Sequence, residues 1–235
     1  MFPALQKYTE PLLHLFFPHY CVGCSTDVIA KTQWLCSRCV QSLPTTNFLH
    51  TAQNPVEIPL AARMPITAAA AAYYFTRKGI LHNAIMQLKY HNYPEVGVYL
   101  GKLLGEQLQQ SERFQQVDAL VPLPLNAKKQ ALRGYNQAAK IVEGIAAVWP
   151  KPILTQAVVR KQFTKTQTKE SRVNRWENMQ AVFEVADEAA LTGKHILLID
   201  DVITTGATIE SCGRSILAVP NTKLSVAAVG YTSSH

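Results

Sequence analysis

The segment ILLIDDVITTGAT, Ile196 to Thr208, decides how this chain is read. Four apolar residues run into Asp200 and Asp201. A short loop of Thr204, Thr205, Gly206 and Ala207 follows, closed by Thr208. An apolar run bounded by a turn is the pattern of a buried central strand. The acid pair therefore stands at the carboxyl end of that strand, where open α/β sheets bind ligands. The TTGAT loop offers backbone N–H groups, hydroxyls and a helix start, which suit a phosphate. Carboxylates beside it suit vicinal hydroxyls or a divalent cation. An anion cradle next to a diol clamp describes a ribose 5-phosphate.

An apolar run ending in two aspartates also occurs on the magnesium strand of P-loop nucleotidases. That reading needs a G-x-x-x-x-G-K-[ST] loop upstream. Gly101 and Gly105 are four apart, and no Lys-Ser or Lys-Thr follows the second glycine. All thirteen positions from 196 to 208 instead resemble the phosphoribosyl pyrophosphate signature of type I phosphoribosyltransferases.

The chain has 235 residues, 48% of them apolar, enough for one α/β domain with its own core and a small appendage. LLHLFF at 12–17 is interrupted by His14, and PITAAAAAYYF at 65–75 is no longer than a core strand with its lead-in. Both are too short to span a bilayer, so the expectation is a cytoplasmic protein with no membrane span. The net charge of +7 is concentrated. Residues 121–185 hold eleven Lys/Arg against four acids, and the rest of the chain balances twelve against twelve. A local basic field attracts phosphates, of a small ligand or of a nucleic acid.

Cys21, Cys24, Cys36 and Cys39 have the spacing C-x2-C-x11-C-x2-C. Two C-x2-C knuckles present four thiolates to a tetrahedral Zn²⁺, and no secretion signal favours disulfides over metal. Bound zinc would replace the hydrophobic core that so short a module lacks. Cys212 lies apart and reads as a small buried residue on a helix.

Residues 1–44 are therefore expected to form an N-terminal helix and a four-cysteine zinc finger. Residues 45–64, polar and rich in Pro and Asn, read as a linker. Residues 65–235 read as an α/β domain. Helical periods recur at 79–90 and 96–110, and Gly134 to Trp149 reads as a further helix. Strands are expected at 73–75, 118–125, 195–200 and 224–232. Strands alternating with helices imply a mostly parallel sheet.

A ligand with two phosphate groups needs a second anion site. PLPLNAKKQALRGYNQA at 122–138 follows a strand, and Arg133–Gly134 offers a charged fork beside backbone that can approach closely. Asn136 and Gln137 add amide donors or cap a helix. Lys165, Lys169, Arg172 and Arg175 lie in an aperiodic run that reads as a loop over a pyrophosphate or along a nucleic acid.

The four-cysteine finger, LKY at 88–90, VPLPL, RGYNQA, the T-Q…R-x-x-N…F string at 166–183 and DDVITTGAT occur in this order. Together they resemble the competence-protein ComF family, over about residues 20–232. Glu170 stands where the family carries an apolar residue. The resemblance implies a parallel-sheet phosphoribosyltransferase-like α/β domain behind a zinc finger. It also implies a role in DNA uptake for transformation, or in the use of DNA as nutrient, beside a helicase-like partner. Its ligand would be phosphoribosyl pyrophosphate with Mg²⁺. Asp200 and Asp201 would be catalytic and hold the ribose hydroxyls. Residues 204–208 would hold the 5-phosphate, and Arg133 would meet the pyrophosphate. The acceptor of any transferred phosphoribosyl group is not readable, because the variable hood of such folds, here about 45–75, carries no code. The alternative is a non-catalytic adaptor that binds single-stranded nucleic acid.

Overall fold

A computed structural model of the chain describes residues 19–30, 32–161 and 182–233. Its centre is a four-stranded sheet built from β1 (Ala68–Tyr74), β2 (Ala119–Pro122), β5 (His195–Ile203) and β6 (Lys223–Tyr231), in the order β1-β6-β5-β2. All three pairings are parallel. A separate antiparallel pair, β3 (Val158–Arg160) with β4 (Phe183–Val185), stands outside it. The expected parallel α/β fold is thus the observed one.

Burial, not propensity, makes the strands. β1 carries five consecutive alanines, good helix formers, yet each is essentially fully buried, and Ala68 to Ala71 pair with Ser225 to Ala228 of β6. The helices α3 (Ile80–Tyr90) and α4 (Pro94–Gln110) carry the chain from β1 across to β2. Two helices then follow β2: α5 (Ala127–Arg133) and α6 (Gln137–Val148). The sequence reading assigned the first of these no element. Asn126 caps α5 by accepting from the Lys128 N–H at 3.0 Å. Gly134, at φ 76°, ends it in a left-handed turn.

α4 and α6 cross at glycines. A Cβ on Gly101 would run into the Ile141 carbonyl, and one on Gly144 into the Val98 carbonyl. The two backbones therefore touch, and α6 also packs against β2 and β5.

Residues 45–64 are packed rather than spun out as a spacer. Phe48, Leu49, Val56 and Leu60 join the domain core. Buried Asn54 donates from its amide to the carbonyls of Phe48, Thr51 and Ala69 and accepts from the N–H groups of Val56 and Glu57. The short helix α2 (Glu57–Ala61) follows, and Glu57 is paired with Arg113. Burial alone would raise the Glu57 pKa, but donation from Ala69 and Gln53 N–H and from Arg113 holds it below the usual carboxylate range.

Both edges of the sheet are covered. Pro44 to Thr46 runs antiparallel to β1, with Tyr74 N–H donating to the Pro44 carbonyl at 2.8 Å and Thr46 N–H to that of Ala72 at 3.0 Å. Pro152 to Leu154 runs beside β2, through Leu120 N–H to the Pro152 carbonyl and Leu154 N–H to that of Leu120, both at 2.8 Å. Among the described residues no helix is long and apolar enough to cross a membrane. The expected helix within 1–44 precedes the described residues. The finger contains the short helix α1 (Ser37–Gln41).

Candidate functional site

The acid pair does not close β5, as the sequence reading had it; the strand runs on to Ile203 because β6 keeps pairing with it as far as Tyr231. It is β2 that ends. The last β2–β5 pair is Pro122 with Ile199, and Leu123 N–H makes a final bond to the Ile199 carbonyl at 2.8 Å. From Asp200 onward β5 has lost its neighbour on that side. The two carboxylates thus stand at a step in the sheet, which opens a cleft at its carboxyl edge.

A cavity of about 480 Å³ fills this cleft. Asp200, Asp201, Thr204 and Thr208 line one side, and Lys129, Arg133, Asn136 and Gln137 the other, with Lys89 and Arg160 also reaching it. The acid pair, part of the phosphate loop and Arg133 therefore share one space. Thr205 and Gly206 line a smaller cavity of about 160 Å³ behind the loop, against Pro59, Leu60 and Arg63. Lys165, Lys169, Arg172 and Arg175 lie outside the described residues.

Asp200 has its pKa raised from 3.8 to about 7, by burial first and then by the adjacent Asp201 charge. The Asp201 N–H, donating to Asp200 at 2.8 Å, and Lys89 pull it back. Lys89 Nζ lies 2.9 Å from each carboxylate oxygen of Asp201. The cost here is the burial of Asp200 beside a like charge, which Lys89 offsets in part, and such clusters mark functional clefts.

Lys89 lies in the last turn of α3, and Tyr90, which ends that helix, begins the opposite wall. The Arg133 guanidinium sits over the Tyr90 ring at 5.4 Å and donates to Gln137 Oε1 at 2.7 Å. The Tyr135 hydroxyl donates to the Leu88 carbonyl at 2.5 Å and ties the RGYN turn to α3. Asn136 is a helix cap: it accepts from Ala138 N–H at 2.9 Å and donates to the Leu123 carbonyl. Gln137 Nε2 is buried with no acceptor among the described residues, and Gln137 lines the cavity. Nothing lies within 4 Å of a Cβ on Gly134, so glycine serves the turn's left-handed φ and not a close approach.

Beyond the short helix α7 (Glu188–Leu191) and β5, Gly206, at φ 74°, is the N-cap of α8 (Ala207–Leu217). Ala207 N–H donates to Thr205 Oγ1 at 3.4 Å. The N–H groups of Thr205, Gly206 and Thr208 have no acceptor among the described residues. Free amides at a helix start, with the macrodipole behind them, suit an anion.

The finger has its own geometry. The four cysteine sulfurs lie within 4.8 Å of one another, and Cys24 Sγ is 3.7 Å from Cys36 Sγ. A tetrahedral ion with metal–sulfur bonds of about 2.3 Å puts its sulfurs roughly 3.8 Å apart, so the residues fit a metal. Cys36 N–H donates to Cys21 Sγ at 3.2 Å. Burial raises the Cys21 thiol, but backbone donation from Cys36, Cys24 and Gly23 brings it down to about 7. Burial, then contact with the other three thiols, drives Cys39 the opposite way. Four sulfurs so placed need a cation to ionise together. All four are free of disulfides. The module docks on the domain through Asn83, whose amide donates to the Gly23 carbonyl at 3.2 Å, and through buried Leu35.

Lys89 entered the sequence reading only within the LKY string, and Arg160 and Lys129 only as part of a basic segment. A lone lysine closing an apolar helix was the available signal for the first. Arg63 carried none.

The chain is similar to several known proteins. Residues 141–229 match the family model "Phosphoribosyl transferase domain". Competence protein F of Haemophilus influenzae is 26% identical over 215 residues, covering 85% of this chain and 91% of that protein. DNA utilization protein YhgH of Escherichia coli K12 is 29% identical over 136 residues, 57% of this chain and 59% of that protein. Competence protein ComFC of Bacillus subtilis is 31% identical over 98 residues, 42% of this chain and 38% of that protein. Among solved structures, the B. subtilis glutamine phosphoribosylpyrophosphate amidotransferase complexed with ADP and GMP aligns with a TM-score of 0.44 at 18% identity. That alignment covers 61% of this chain and 30% of that one. The chain is thus similar to the competence-protein ComF relatives over most of its length, with a phosphoribosyltransferase-like α/β domain behind its four-cysteine module.

Proposed function

We propose that this protein binds phosphoribosyl pyrophosphate with Mg²⁺ and serves the uptake or use of DNA, in keeping with the names of its relatives. One observation carries the reading: a single cavity holds the acid pair, the mouth of the phosphate loop and a cationic wall. Asp200 and Asp201 accept from the ribose hydroxyls. The amides and hydroxyls of residues 204–208 take the 5-phosphate. Arg133 and Lys129 face the pyrophosphate, and Mg²⁺ supplies further charge neutralisation there. Gln137 Nε2 gives its missing hydrogen bond to the ligand.

Where transfer occurs, the C1–pyrophosphate bond breaks, pyrophosphate leaves on the cationic wall, and an acceptor bonds to C1. These residues then act by placing fixed charge against a developing oxocarbenium and a departing anion. Asp200 and Asp201 are the catalytic residues in that sense, and no protein nucleophile is required.

Cys21, Cys24, Cys36 and Cys39 hold one structural Zn²⁺. Residues 1–44 form the finger module, 45–64 the connection and 65–235 the phosphoribosyltransferase-like domain. The setting is cytoplasmic, beside a helicase-like partner. Titration calorimetry with phosphoribosyl pyrophosphate and Mg²⁺ tests the reading. Binding is expected in the parent and lost in the Asp200→Asn/Asp201→Asn variant; no binding by the parent, or equal binding by the variant, overturns it.

The basic excess at 121–185 favours a second reading, a non-catalytic adaptor for single-stranded DNA. Replacing Lys165, Lys169, Arg172 and Arg175 by Ala would then weaken oligonucleotide binding and flatten its salt dependence by roughly one unit per lost phosphate contact. An unchanged slope removes that reading from this segment.

A further inference from the structure

Arg63 lies just beyond α2, far in sequence from the acid pair, yet it grips the back of the phosphate loop. Each guanidinium nitrogen has its own acceptor. Nε donates to the Pro59 carbonyl at 2.8 Å, Nη1 to Glu210 at 3.0 Å and Nη2 to the Thr205 carbonyl at 2.9 Å. Glu210, in the first turn of α8, also accepts from Arg214 Nε at 3.1 Å. Arg214 in turn donates to the Arg63 carbonyl at 2.5 Å. The chain around Arg63 is thereby fastened to the helix that the loop opens.

The consequence follows from peptide geometry. The Thr205 carbonyl and the Gly206 N–H belong to one trans peptide plane and point in opposite directions. Arg63 draws the carbonyl toward residues 59–63, so the N–H is turned away from them, toward the ligand side. Gly206 is pressed on the same face: a Cβ there would meet Leu60 at 2.9 Å and Arg63 Nη2 at 3.2 Å. The Gly206 N–H has no acceptor among the described residues.

We propose that Arg63 is a positioning residue: it fixes the Thr205–Gly206 peptide so that the Gly206 N–H donates to the 5-phosphate of the bound sugar. This rests on the sugar-phosphate reading above, but adds a residue that never touches the ligand. It also predicts a split. The pyrophosphate end meets α5 and α6, which Arg63 does not contact, so only the 5-phosphate end should feel its loss.

The test is titration calorimetry of the full chain with ribose 5-phosphate and, separately, with magnesium pyrophosphate. Arg63→Met should weaken ribose 5-phosphate on the order of 10- to 100-fold, as an ångström-scale misplacement does. It should leave magnesium pyrophosphate within about twofold, as expected of an independent site. Arg63→Lys keeps the charge but gathers its donors on one nitrogen, which cannot span the three separated acceptors, so it should not restore the affinity. Glu210→Gln removes the ion pair while leaving the Thr205 bond, and should show a smaller loss with the same split; it serves if Arg63→Met fails to fold. Equal weakening of both ligands, or unchanged ribose 5-phosphate affinity, overturns the proposal. If the parent binds neither ligand, the sugar-phosphate reading itself falls and takes this inference with it.

Discussion

Asp200→Asn should make the ligand-free protein more stable at pH 8 while removing ligand binding. The folded protein raises the Asp200 pKa from 3.8 to about 7. A carboxyl whose pKa is raised on folding disfavours the folded state wherever it is ionised. The penalty is absent below the unfolded value, grows as pH rises, and is complete above the folded value. Three pKa units at about 1.36 kcal/mol each give a penalty of roughly 4 kcal/mol at pH 8. At pH 5 the same arithmetic gives roughly 2 kcal/mol, because only the unfolded carboxyl is ionised there. Water entering the open cleft reduces both figures, so they are ceilings. Asparagine keeps an oxygen that can accept from the Asp201 N–H, 2.8 Å away in the parent, so the turn of the strand is preserved. The assay is urea unfolding of parent and variant, without ligand, at pH 5 and pH 8. The gain should be larger at pH 8 by roughly 2 kcal/mol. No gain at pH 8, or an equal gain at both, would refute the claim that burial and Asp201 strain this carboxyl.

Three further outcomes are expected. Metal analysis should return one zinc per chain, and Cys36→Ser should lose it and loosen the finger while circular dichroism still reports the α/β core; a metal-free parent would overturn the site. Gly144→Ala should lower stability by roughly 2 kcal/mol or more in urea unfolding, because overpacking at the α4–α6 crossing outweighs the helix propensity gained; an unchanged midpoint would show that the backbones do not touch. His195 is buried, with Nε2 2.8 Å from Ser225 Oγ and Nδ1 unpaired among the described residues. Burial lowers its pKa, with the Lys223 charge acting the same way and Asp118 opposing. Its stabilising effect is therefore full above pH 6.5 and lost as pH falls below that. The stability difference between the parent and His195→Gln should shrink from pH 7.5 to pH 5, read from melting temperatures; a constant difference would contradict it.

The site was legible where chemistry is written in consecutive residues. Asp200 to Thr208 shows its strand, its carboxylates and its loop in one stretch, and the cysteine spacing shows a four-sulfur cluster that could hold a metal. What was hidden depends on where elements end. The cleft exists because β2 stops at Pro122 while β5 continues, a mismatch between strands more than seventy residues apart in the chain. α5 escaped notice because Pro122 and Pro124 precede it and it buries no residue, so it has no apolar stripe to show. The reading of 45–64 as a linker followed its polarity, but Asn54 is polar because it satisfies five backbone groups in a buried turn. Lys89 and Arg63 owe their places to tertiary contacts that no local pattern records.

The covered sheet edges bear on self-association. An open four-stranded parallel sheet has two rows of unpaired backbone groups, each a template on which another chain can grow a strand. Here a few residues on each side, Pro44 to Thr46 and Pro152 to Leu154, occupy those rows with two hydrogen bonds apiece. Prolines stand in both guards, and proline cannot pass a donor to the next strand. The guards thus shield the two apolar edge strands, β1 and β2, from edge-to-edge polymerisation. A nick or insertion in either one would leave the residues of the cleft in place, yet turn the bared sheet edge into a seed for stacking.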